Sequence, residues 1–180
     1  MSLFDHTEGD NVHGDKVIGD KVMGDKKTYV LNHVDLDIGI LKDILENNPL
    51  VIKASLTKLH TIPSQFAPDE RTIPISDKNL QNGLEEFYEN FIKRIEQKLL
   101  ALDKFFQEND YVDDIESAAD SIKMFIFTYA NRNSMKLEPM IFNAIIQEHT
   151  KPISGGQEKG IMKLIIYYLY RYCYIGLKDA

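Results

Sequence analysis

Residues 9–28 repeat a five-residue unit, GDNVH-GDKVI-GDKVM-GDKKT, in which Gly-Asp opens each of four copies. A period of five matches neither the helix, near 3.6, nor the strand, at 2, so Val12, Val17 and Val22 would share neither a helix stripe nor a strand face. The phase is kept if a short extended piece is bent at every Gly-Asp. Glycine tolerates positive φ and aspartate bonds readily to nearby backbone, so Gly14-Asp15, Gly19-Asp20 and Gly24-Asp25 read as corners or bulges. Twenty residues cannot bury a core alone, and their unpaired edges need partners. The economical partners are identical segments of other copies, which makes the repeat an intermolecular β assembly. In register, Asp15, Asp20 and Asp25 would each stack beside a lysine (Lys16, Lys21, Lys26), so the charge ladders offset one another.

Three other readings of the repeat fare worse. A flexible charged linker would have no reason to keep the valines in phase. A calcium-binding β-roll has a nine-residue period, and a lysine follows three of these four aspartates. A phosphate loop needs lysine directly after its second glycine, where this chain has Asp25.

The rest of the chain reads as helices. Tyr29 to Val34 can close the extended region as a short strand, giving a β segment over residues 1–34. Asp35 or Asp37 caps a helix carrying Ile38, Leu41, Ile44 and Leu45, and Pro49 opens a second with Val51, Ile52, Leu56 and Leu59. This short helical segment, 35–60, precedes a linker at 61–75 in which Pro63, Pro68 and Pro74 forbid continuous helix. A helical bundle follows at 76–180. Ser76 or Asp77 caps its first, long helix, with Leu80, Leu84, Phe87, Phe91, Ile95, Leu99 and Leu102 on one stripe, ended by Asn109-Asp110. The next helix turns Ile115, Ala119, Ile122, Ile126 and Tyr129 inward. A shorter one starts at Glu138-Pro139, and the last runs from Gln157 to about Leu177. The fold class is therefore mainly α with a short N-terminal β segment.

Chemistry has few footholds. A net charge of −7 argues against nucleic acid and anionic membranes as partners. The lone Cys173 fits a reducing compartment, and no apolar run is long enough to span a bilayer, so a cytoplasmic protein is expected. The acidic group Asp113, Asp114 and Glu116 suits a helix N-terminus, where the dipole favours negative charge. His6, His13, His33, His60 and His149 have no metal-ligand spacing. Ile153-Ser154-Gly155-Gly156-Gln157 looks like the signature loop of ABC-type ATPases, but that loop works only beside a P-loop and a Walker-B strand. No catalytic residue, cofactor or metal is expected. The tyrosines of the last helix are different. A core stripe of Ile161, Leu164, Ile165, Tyr168, Leu169 and Tyr172 leaves Tyr167, Tyr170 and Tyr174, with Arg171, on the flanks as candidate partner-binding residues.

The Gly-Asp-x-Val-x repeats followed by a helical module resemble proteins of bacterial ABC three-component conflict systems. Lys78-Asn79-Leu80-Gln81-Asn82-Gly83-Leu84 and Ile165-Ile166-Tyr167-Tyr168-Leu169-Tyr170-Arg171-Tyr172-Cys173 resemble the C-terminal module of their effector subunits. The resemblance implies a module that couples an effector to a middle component and an SMC-like ATPase in antiviral defence. Effectors usually carry a nuclease, protease or other toxic domain ahead of it, a place taken here by the repeats and a short helical segment. The expectation is a non-enzymatic homo-oligomeric adaptor that self-associates through residues 9–28 and docks a partner through its bundle. A small-ligand sensor with a pocket between helices or copies is the alternative.

Overall fold

A computed structural model describes residues 31–60, 73–129 and 135–177. The chain divides into two compact units, Met1–Leu31 and Asn32–Ala180, and the second holds the helices that follow. The repeat, with the self-association residues and most of the expected β segment, lies outside the described residues. The strand expected over Tyr29 to Val34 is not formed where its end is described, Leu31 and Asn32 being helical, and among the described residues there is no strand.

Local chemistry sets most helix boundaries. Asp37 caps α1 (Ile38–Asn47), its carboxylate accepting from the backbone N–H of Gly39 at 2.6 Å and Ile40 at 3.4 Å. Pro49 stands directly ahead of α2 (Leu50–Leu59), where a missing N–H costs nothing. The expected single helix from residue 76 is two. α3 (Ile75–Asn82) follows Pro74 and stops at Gly83, whose φ of 66° lies in the left-handed region. Leu84 N–H bonds back to Asn79 C=O at 2.9 Å and Gly83 N–H to Leu80 C=O at 3.2 Å, a Schellman ending that only glycine adopts without strain. The break also turns Leu80 outward, 70% exposed, so it leaves the expected apolar stripe.

A second helical run then passes through an α turn (Glu85–Phe87), a π segment (Tyr88–Ile92) and a 3-10 turn (Lys93–Ile95) into α4 (Glu96–Asn109). The change of pitch keeps Phe87, Tyr88, Ile92 and Ile95 buried together. Asp110, at φ 54°, ends the run where Asn109-Asp110 had marked a stop. α5 (Val112–Tyr129), α6 (Pro139–Thr150) and α7 (Gly156–Arg171) complete the bundle. Tyr129, expected inward, is 56% exposed.

α7 is the axis of the packing. α2, α4 and α6 all lie against it, α5 bridges α2 and α6, and α1 lies on α4. Residues 35–60 are thus part of the same compact unit as the later helices, not a segment set ahead of a second module. From Gly160 to Tyr170 every residue of α7 except Lys163 is buried. A helix apolar on all sides is the expected signature of such a central position, and each fully buried Ile or Leu contributes about 1.5–3 kcal/mol. Residues 33–36 run extended along it, Val34 and Leu36 inward and His33 and Asp35 outward. Gly160 permits that approach: a Cβ there would stand 3.0 Å from Leu36 Cβ and 3.3 Å from the Asp35 carbonyl.

Candidate docking face

The end of α7 is fixed from inside by three side chains of α3. Lys78, fully buried, donates to the carbonyl of Tyr170 and sits 4.2 Å from the centre of its ring. Asn79 Oδ1 accepts the Tyr170 hydroxyl at 2.9 Å. Asn82, also fully buried, accepts the N–H of Leu137 at 2.8 Å and of Leu177 at 3.0 Å through Oδ1. Its Nδ2 donates to the carbonyls of Lys78 at 2.8 Å and Leu177 at 3.2 Å. Gly176, at φ 87°, completes the fit, since a Cβ would meet Asn82 Oδ1 and Tyr170 Cε2, both at 3.3 Å. The two sequence segments that carried the resemblance, 78–84 and 165–173, therefore touch, and they form one buried polar clamp.

This clamp overturns the outward placing of two tyrosines. Tyr167 and Tyr170 are fully buried and belong to the core. Tyr167 donates to the Asn32 carbonyl at 2.6 Å, and Phe142 packs 5.5 Å from its ring and 5.6 Å from that of Tyr170. Burial drives both hydroxyl pKa values far above the ordinary tyrosine range, so they act as permanent donors.

Arg171 and Tyr174 do reach the surface, together with Tyr172, which had been assigned to the core stripe; all three are half-buried. The ring of Tyr168 lies 4.5 Å from that of Tyr172 and 6.0 Å from that of Tyr174, and its hydroxyl donates to Asp103 Oδ1 at 3.0 Å. Arg171 pairs with Glu96 at 3.4 Å and lies 5.7 Å from the Tyr172 ring centre. The exposed Leu100 sits on α4 between Glu96 and Asp103, one helical turn from either. Burial raises the hydroxyl pKa of Tyr172 and Tyr174, and the charge of Asp103 adds to both. Glu116, on α5, adds to the rise for Tyr174 as well. Leu100 and Asp103 were not singled out in the sequence, and Glu116 only as one of the acidic residues at a helix N-terminus. The spacing of Glu96, Leu100 and Asp103 on one helix face was the available signal, and nothing in the sequence linked it to the tyrosines.

A concavity of about 620 Å³ lies where α2, α5 and the end of α6 meet. Phe125, stacked on Tyr129 at 4.3 Å, lines it with Met124, His149 and Ile153, and Lys58 and Glu148 flank it. Burial lowers the His149 pKa, favouring the neutral ring.

The fold is that of a helical domain closed around one buried helix, whose end is held by the buried polar clamp. Among the described residues no group of His, Cys, Asp and Glu could hold a metal ion, and no helix is long and apolar enough to cross a membrane. Residues 40–176 match the family of C-terminal domain 12 of the ABC-three component (ABC-3C) systems, and the chain belongs to that family. The matched span takes in both halves of the clamp. No curated protein and no solved structure matches the chain.

Proposed function

We propose that this chain is a non-enzymatic assembly component of a bacterial ABC-3C defence system, docking a partner subunit through its helical domain and self-associating through residues 9–28. The family match over residues 40–176 carries the reading, because it assigns most of the chain to a multi-component system. The half-buried Arg171, Tyr172 and Tyr174 beside the exposed Leu100 support a docking face at the end of α7. Tyrosine and arginine commonly anchor interfaces, joining large area to a polar tip. The middle component and the SMC-like ATPase of the system are the partners to test. Self-association rests on the phased valines of the repeat, and the reducing environment implied by the single cysteine favours the cytoplasm.

Co-expression of the tagged full chain with the other components of its system tests the docking. A partner should co-elute at fixed stoichiometry, and the absence of any would refute the reading. For the repeat, deletion of residues 1–28 should lower the native mass and leave a folded helical protein; an unchanged mass would remove the repeat from the assembly. The concavity beside Phe125 and His149 favours a second reading, a small-ligand sensor, which a metabolite retained through purification would support.

A further inference from the structure

The concavity between α2, α5 and the end of α6 encloses about 620 Å³, a size that takes a small molecule. Part of its lining is an aromatic wall. Phe125 and Tyr129 stack at 4.3 Å with 22° between their planes, and Tyr129 stays 56% exposed. An exposed ring in a concavity offers a flat apolar face that a second ring covers better than water does. His149 lines the same space, its ring 6.3 Å from that of Phe125 and inclined to it at 53°. Among the described residues its imidazole has no hydrogen-bond partner. Burial favours the neutral ring, which carries one donor and one acceptor. The lining holds one charge of each sign, Lys58 and Glu148, both solvent-exposed, so neither an anion nor a cation gains over a neutral molecule.

We propose that this concavity binds a flat, uncharged heteroaromatic molecule, whose ring stacks on Tyr129 and whose N–H donates to the imidazole of His149. The proposal rests on the small-ligand reading of the concavity, not on the docking reading, and supplies the chemistry of the ligand. An aliphatic molecule would leave the imidazole unmatched and the aromatic wall without a ring to stack on it. Phe125, packed behind Tyr129, is a positioning residue.

Indole is the probe, read on the full chain by the imidazole resonances of labelled histidine, with those of His149 assigned by their loss in His149→Leu. Indole should shift the His149 signals saturably. 1-Methylindole, the same ring without the N–H donor, should bind about fivefold more weakly. Tryptamine and indole-3-acetate, charged relatives at neutral pH, should bind no more tightly than indole. Tyr129→Ser, at an exposed position, should keep the melt and weaken indole binding about fivefold. In His149→Leu, followed by labelled phenylalanine, the two indoles should bind alike; should that variant not fold, Tyr129→Ser and the wild-type comparison carry the test. No saturable shift, equal binding of indole and 1-methylindole to the wild type, tighter binding of a charged relative, or undiminished affinity in Tyr129→Ser would each overturn the proposal. An aliphatic or charged molecule retained through purification would overturn the ligand class and leave the small-ligand reading standing. No retained molecule and no response to any of the four probes would overturn both.

Discussion

Asn82→Ala should be among the most damaging single substitutions in this domain, because one small side chain serves four backbone groups. Its Oδ1 is the acceptor for the N–H of Leu137 and of Leu177, at 2.8 Å and 3.0 Å. The Leu137 bond is buried, so its N–H would be left without an acceptor, at a cost of about 1–3 kcal/mol. The Leu177 bond is half-buried, and water can replace part of it, so about 1 kcal/mol is expected there. The Nδ2 contact to the Lys78 carbonyl runs along α3 and adds little, since that oxygen already faces its own helix. The sum is about 3 kcal/mol, a large part of the roughly 5–15 kcal/mol that holds a domain folded. For a chain of this size it corresponds to a fall in Tm of about 10 °C. Urea unfolding followed by circular dichroism measures the change, and amide exchange locates it, with Leu137 and Leu177 the residues whose protection should fall first. Asn47→Ala is the matched control: its Nδ2 also makes one short bond, 2.7 Å to Asp43, but in the open. That variant should stay within about 0.5 kcal/mol of wild type. If Asn82→Ala is as mild as Asn47→Ala, the clamp does not hold the end of α7.

Other substitutions probe the same architecture from different sides. Gly176→Ala should cost roughly 1–3 kcal/mol in denaturant unfolding, because the φ of 87° strains any side chain and the Cβ would meet Asn82 and Tyr170. Tyr170→Ser should unfold or strongly destabilise the domain by emptying a fully buried site, whereas Tyr174→Ser should leave the melt nearly unchanged and weaken partner retention. In the repeat, Val17→Asp should abolish the higher native mass that Lys16→Ala preserves, since an unpaired charge inside a stacked assembly costs several kcal/mol, by order of magnitude. The folded His149 pKa is lowered by burial, so the unfolded chain takes up this proton more readily than the native one. Stability from this group is then full above the unfolded pKa of about 6.5 and falls as the pH drops below it toward the folded value. His149→Gln should flatten that slope, measured as unfolding midpoint against pH.

Much of the helical layout is legible because the boundaries are local events. Asp37, Pro49, the Asn109-Asp110 stop and Pro139 each act within a few residues of the turn they start or end. The break at Gly83 was missed for a physical reason: the apolar stripe from Leu80 to Leu102 keeps helical spacing across it, and periodicity does not register a single left-handed residue. Asn82-Gly83 followed by an apolar Leu84 was the sign of a Schellman ending. The tyrosines failed differently. Outward placing of Tyr167 and Tyr170 assumed a helix with one buried side, while α7 is enclosed by α2, α4 and α6. Their hydroxyls are satisfied by Asn32 and Asn79, partners 135 and 91 residues away in sequence, and no local pattern reports such pairings.

The position of the clamp connects stability to the proposed docking face. Lys78, Asn79 and Asn82 grip Tyr170 and Leu177, which bracket the segment bearing Arg171, Tyr172 and Tyr174. Cys173, within that segment, holds a φ of 66°, a left-handed turn that redirects the chain after α7 and places Tyr174 back over Tyr168. A non-glycine residue in that region is retained where surrounding contacts over-determine it, and here they come from both flanks. Loosening the clamp should therefore disperse the aromatic ladder before the bundle itself unfolds. The buried polar residues of α3 act at a distance on the surface tyrosines, through the backbone they hold in place.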